Sequence, residues 1–226
     1  MIETATGLVF RTRLLTETSL IVQWLTPNLG RLATVAKGAR RAKSPFRGKL
    51  DLFYLADISF SRSSRSELHT LREVSLRETH SGLRKDLGLL QQASYCATLV
   101  ERATETETPL PQVFELMVGL LRHLLSHPAK PQTVFSFELK LLADLGLKPD
   151  LARSQLHPGT RQFVKALTES DWPVMARLKP SDEQLGELRQ FLHGFLQYHL
   201  GSVLKGRAGA LGQTGLGQPS APVNSL

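Results

Sequence analysis

The chain has one cysteine, Cys96, among 226 residues. A lone thiol closes no internal disulfide, so the stapled framework of small secreted domains is excluded and a reducing compartment is expected. No stretch approaches the about 18 consecutive apolar residues of a membrane-spanning helix. The opening M-I-E-T-A-T-G-L has neither the basic start nor the apolar core of a secretory signal, and the expectation is a cytoplasmic protein without membrane partners. Catalytic signatures are also missing: there is no G-x-x-x-x-G-K-[ST], no G-x-S-x-G and no H-E-x-x-H. His123 and His127 lie four apart on one helical stretch but lack a third metal ligand. Cys96 sits among Tyr95, Ala97 and Leu99, which reads as packing, and Glu101, Glu105 and Glu107 read as solvated carboxylates. These absences point away from an enzyme, and no cofactor is expected.

Positive charge is what the chain has in excess, with 28 Lys and Arg against 20 Asp and Glu, a net of +8. The excess is concentrated early: residues 1–80 hold 13 basic and 7 acidic residues. Within V-A-K-G-A-R-R-A-K-S-P-F-R-G-K-L, Lys37, Arg40, Arg41, Lys43, Arg47 and Lys49 crowd together with no acidic residue between them. Such a run is open to three readings, a nucleic-acid surface, a solvated loop or a contact for an acidic protein, and its place between two strands favours the first. Phe46 places a ring among the cations, the combination with which single-strand binders track phosphates and stack bases. Arg11, Arg13, Arg62 and Arg65 lie on or beside neighbouring strands and extend the candidate surface. Trp24 falls on the Leu20/Val22 face and reads as core.

Up to about residue 78 the pattern is of strands. Gly7 to Leu15 alternates Phe10, Thr12 and Leu14 with Arg11 and Arg13. Ser19 to Thr26, the turn Pro27-Asn28-Leu29-Gly30, and Arg31 to Lys37 form a hairpin. Leu52 to Phe60 and Leu68 to Leu76 complete five strands. A small antiparallel barrel follows, of oligonucleotide-binding (OB) or SH3-like type. After Gly82 the period becomes helical: Leu83, Leu87, Leu90, Ala97 and Val100 share one stripe. Further helices carry Val113 to Leu124, Val134 to Leu145, and a run opened by the capping box Ser181/Gln184. The fold class is α+β, a five-stranded barrel in 1–80 and an all-α domain in 81–205. The Gly-rich residues 206–226 are expected to be a disordered tail.

Several of these stretches carry a resemblance. E-T-S-L-I-V at 17–22, G-R-L at 30–32, V-A-K-G-A-R at 35–40 and G-K-L-D-L-F at 48–53 resemble the N-terminal domain of the RecO family of bacterial DNA repair proteins. F-E-L-K-L-L-A-D-L-G-L-K-P at 137–149 and the run from Leu188 to Lys205 are similar to that family's C-terminal domain. The resemblance implies an OB-fold followed by helices, and a nucleoid-associated recombination mediator. Such a protein binds single- and double-stranded DNA and anneals complementary strands. With RecR, it helps load RecA onto DNA coated by single-strand binding protein. By position, the six cations from Lys37 to Lys49 become the DNA contacts.

Two departures stand out. Many members of the family carry a zinc module of two C-x-x-C pairs after the L-G-x-x-P segment. Here, in a degenerate region at about 150–175, Ser154 and His157 occupy the spacing of the first pair and no cysteines follow. No zinc is expected, with Phe163, Val164, Leu167 and Trp172 supplying packing instead. Phe135 and Ser136 also stand where some relatives have basic residues. If the acidic tail of single-strand binding protein docks nearby, Arg122 and Lys140 are the candidate cations. Two other readings of the residues remain: an RNA-binding barrel, and an interaction scaffold built on the helical domain.

Overall fold

The computed structural model describes residues 1–202 and 204–212. Five strands, β1 (Ile2–Leu14), β2 (Leu20–Thr26), β3 (Gly30–Ala36), β4 (Leu55–Ser61) and β5 (Leu68–Glu78), close into a barrel in the order β1-β2-β3-β5-β4. Neighbours are antiparallel except β3 and β5, which run parallel from Ala33 opposite Leu68 to Val35 opposite Thr70. This closure, with β1 serving both β2 and β4, decides for the OB arrangement over the SH3-like one. Inward residues Val9, Val22, Trp24, Ile58, Phe60 and Leu71 fill the barrel. Trp24 is fully buried, and its indole N–H donates to Thr34 Oγ1 at 2.8 Å, so the ring keeps a polar partner inside the core.

Alternation turns Phe10 outward next to inward Val9, and a bulge between Val9 and Arg11 keeps Arg11 outward as well. Leu8, Phe10, Leu25, Phe53 and Leu55 then join the apolar cluster of the helices, so the two halves share a core. The helices are α1 (Leu87–Ala103), α2 (Pro111–Ser126), α3 (Pro131–Asp144), α4 (Pro158–Glu169), α5 (Trp172–Ala176), α6 (Asp182–Leu200) and α7 (Arg207–Ala210). The stripe beginning at Leu83 first forms a 3₁₀ turn over Ser81–Lys85. α1 starts only where the Asp86 carboxylate accepts the Leu89 N–H at 3.1 Å. α6 opens with the expected capping box, Gln184 N–H to Ser181 Oγ and Ser181 N–H to Gln184 Oε1. α3 is buried on nearly all sides and forms the axis of the bundle.

The stretch at 150–175 folds without clustered metal donors: Ser154 Oγ donates to Leu151 O, and His157 precedes α4. Phe163, Val164 and Leu167 are buried along α4, with Trp172 packed against the same core. Among the described residues no three His, Cys, Asp or Glu side chains gather closely enough to hold a metal ion. The expected tail is corrected in its first part. Residues 206–212 are folded: Arg207 is 4% exposed, and Ala210 and Leu211 lie in the core. Arg207 reaches Glu138 of α3 with two hydrogen bonds of 2.7 and 2.9 Å, and Tyr95 Oη donates to the same carboxylate at 2.5 Å. Residues 213–226, the rest of that expectation, lie outside the described residues.

Candidate nucleic-acid interface

The basic run forms the connection between β3 and β4, and it is folded. Successive turns stitch it: Arg41 N–H to Gly38 O, Ser44 N–H to Arg41 O, Arg47 N–H to Ser44 O and Lys49 N–H to Phe46 O, all between 3.0 and 3.2 Å. Gly38 has φ +66°, a conformation that side-chain-bearing residues rarely adopt, and it starts the first turn. Ala39 and Phe46 are buried among the barrel's inward residues and pin the run at two points. It is also fastened to the β1–β2 turn. The Arg40 N–H donates to Thr18 O at 3.0 Å, the Arg40 guanidinium to Glu17 O at 3.0 Å, and the Gly38 N–H to Ser19 Oγ at 3.2 Å.

Two buried anchors with a polar arch between them leave the cations outside. Lys37, Arg40, Arg41, Lys43 and Arg47 are exposed. Among the described residues, none of these five lies within ion-pair distance of a carboxylate. Their field is therefore uncompensated locally. Lys49 is half-buried, its ammonium donating to Val74 O at 3.3 Å, and it lines a groove of about 630 Å³ between the run and strands β1, β4 and β5. Arg72 of β5 lines the same groove and is exposed, with its Nε donating to Ser61 Oγ, and Asp57 and Glu73 share that lining, so the groove itself is mixed in charge. The sequence reading missed Arg72, although the alternation Leu71 in, Arg72 out carried the signal.

The other sequence candidates separate by environment. Phe46 is only 7% exposed inside the barrel cluster, which corrects its assignment as a stacking ring. Arg62 is held by Glu3 at 2.6 and 3.2 Å and by Glu107 at 2.9 Å. The hydrogen bond from Arg62 holds the Glu3 carboxyl below its usual range, and the same bond raises the guanidinium pKa. Arg62 thus braces the barrel against the α1–α2 connection. Arg11 lies 3.4 Å from Glu101 of α1, whereas Arg13 and Arg65 are exposed with no carboxylate in range among the described residues. Arg122 forks onto Glu78, and the Lys140 ammonium donates to Thr168 O and Ser170 O. Burial pushes the Lys140 pKa down. Both proposed tail-binding cations already have partners within the fold.

The surface of β2 and β3, where OB-folds commonly take oligonucleotides, is a cleft of about 420 Å³ reaching from Arg13 to Leu68. Glu67, Glu101 and Glu107 share its lining with Arg13 and Arg31, so its charge is mixed. The unopposed positive field lies instead beyond the open end of β3, along the β3–β4 connection.

The two halves of the chain match two family models in the same order. Residues 1–80 match the family model described as Recombination protein O N terminal, and residues 84–156 match Recombination protein O C terminal. The DNA repair protein RecO of Listeria monocytogenes is 31% identical over 181 residues, 80% of this chain and 70% of that protein. The chain belongs to the RecO family. The DNA repair protein RecO of Bacillus pumilus is 32% identical over 156 residues, 69% of this chain and 60% of its own length. That of Bacillus subtilis is 32% identical over 151 residues, 67% and 58% respectively. The matched stretch thus spans less than two thirds of these two relatives. As a RecO-family chain it has its six clustered cations in the segment covered by the N-terminal family model.

Proposed function

We propose that this chain is a recombination mediator in DNA repair that holds single- and double-stranded DNA on the β3–β4 connection. It anneals complementary strands and, with RecR, helps load RecA onto DNA coated by single-strand binding protein. The observation that carries the proposal is the pinned run itself, with five exposed cations that have no carboxylate in range among the described residues, on a hydrogen-bonded support. A flexible basic linker pays ordering entropy when it binds, and this one is already ordered. The printed names of its relatives, each a DNA repair protein, support the same reading.

Annealing needs no catalytic group. Cations that neutralise phosphates on two strands lower their mutual repulsion, and contacts that exchange quickly let bases search for partners. The mixed charge of the β2–β3 cleft directs the strands to the basic side of the barrel. With Arg122 and Lys140 engaged inside the fold, docking of an acidic partner tail on the helical body rests on other cations. No described helix is long and apolar enough to cross a membrane.

The test is a strand-annealing assay with complementary oligonucleotides. Wild type should anneal them faster than they anneal alone, and Arg40→Glu/Arg41→Glu/Lys43→Glu should remove most of that gain. An unchanged spontaneous rate with wild type present would falsify the proposal.

A further inference from the structure

The β1–β2 turn carries two adjacent leucines that the fold leaves outside: Leu14 is 63% exposed and Leu15 46%. Alternation along β1 places Leu14 on the face of Thr12, opposite Leu20, which in turn pairs with Ala36 at the end of β3. The hairpin therefore runs out past the barrel wall, and its last inward residue has little barrel left to face. The tip is nevertheless closed. Leu15 N–H and Thr16 N–H both donate to Ser19 O, at 3.0 and 3.3 Å, and Ser19 N–H donates to Thr16 Oγ1 at 3.1 Å.

The same turn accepts the Arg40 backbone N–H and guanidinium and the Gly38 N–H, so the leucines are fixed beside the basic run. Arg13 precedes them on β1, and Lys37, Arg40 and Arg41 lie across the hydrogen bonds. An apolar point held beside Arg13, Lys37, Arg40 and Arg41, with the exposed Glu17 in the same turn, suits a ligand with anionic edges and flat apolar faces between them. Nucleic acid has that chemistry, and apolar side chains inserted at base steps are a known way to unstack and bend it. Resting on the DNA-binding reading above, we propose that Leu14 and Leu15 form a wedge entering between neighbouring bases of the strand held by the β3–β4 connection. The unstacked base then presents its pairing edge to an incoming strand.

The experiment uses a single-stranded oligonucleotide containing 2-aminopurine, whose fluorescence is quenched by stacking, with anisotropy of an end-labelled copy read in parallel. Saturating wild type should raise the fluorescence about 3-fold by unstacking. Leu14→Ser/Leu15→Ser should bind within about 3-fold of wild type with the same salt dependence, since no phosphate contact is lost. Its fluorescence rise should be less than half that of wild type. Leu76→Ser, an exposed leucine on β5, should behave as wild type. Binding by wild type without a fluorescence rise, or a full rise with the double variant, overturns the wedge and leaves DNA binding standing. No anisotropy change with wild type overturns both. If the double variant keeps the full rise but loses binding to phosphatidylserine vesicles that wild type shows, the tip belongs to a membrane instead.

Discussion

His123 is a buried imidazole stacked between two other rings, His127 at 4.3 Å and Trp172 at 5.3 Å between centroids. Burial, and then the neighbouring His127, push its pKa down to about 4 from 6.5. The unfolded chain takes up this proton near pH 6.5 and the folded chain only near 4. As pH falls through that window the unfolded state binds more protons, so stability is lost, on the order of 3 kcal/mol by pH 4. Urea unfolding at pH 7 and pH 4.5 should show a smaller loss for His123→Phe than for wild type, and equal losses would contradict the assignment. Arg62 gives a second contrast. Because Glu3 and Glu107 already neutralise it, Arg62→Ala should change DNA affinity by less than about 2-fold and leave the salt slope unchanged, whereas losing a true phosphate contact lowers the slope by about 1. A slope change with Arg62→Ala in salt-dependent anisotropy would make it a DNA contact after all.

At the scale of elements, what was legible in the sequence was whatever repeats locally. Alternation marked Ser19 to Thr26 and Arg31 to Lys37, and β2 and β3 lie within one residue of those bounds. Ser181 and Gln184 announced α6 because both halves of a capping box sit three residues apart. Partners distant in the chain were not legible. Phe46 among cations looked like a stacking ring, and only the closed barrel shows that it fills the space beside Val74 and Ile58. Arg62 finds Glu3 across 59 residues, so local charge counting left it free. α4 was legible in principle, since Phe163, Val164 and Leu167 fall at helical spacing, but the sequence reading took them only as packing in place of the zinc module. One element boundary is testable. Gly30 has φ +66°, and a Cβ there would lie 2.2 Å from Thr108 O, where the α1–α2 connection crosses the β2–β3 turn. Gly30→Ala should destabilise the protein by more than about 1 kcal/mol in urea unfolding. No loss would mean that the crossing is loose.

The whole molecule is tied by pairs that join its ends to its centre. Arg207, from the segment read as tail, completes a buried charge with Glu138 at the axis of the bundle, 69 residues away. Glycine content near the end suggested disorder, and nothing local revealed the carboxylate waiting in α3. Removing one partner strands the other charge, so Arg207→Ala should cost about 3–5 kcal/mol. Tyr95→Phe/Glu138→Leu/Arg207→Met should cost far less, because it removes both charges and the hydroxyl that donates to Glu138. Denaturant unfolding of the two variants separates these outcomes, and equal losses would show that packing alone holds the segment. On this body the charges of the β3–β4 connection are the working surface, and one measurement bears on that most directly: anisotropy of a labelled single-stranded DNA across a salt series, for wild type and for Arg40→Glu/Arg41→Glu/Lys43→Glu. With about four to six phosphates engaged, log K should fall against log salt with a slope of about −3 to −4, and the variant should bind weakly with a flatter slope. A variant that keeps both the affinity and the slope of wild type would contradict the account and move the DNA elsewhere on the protein.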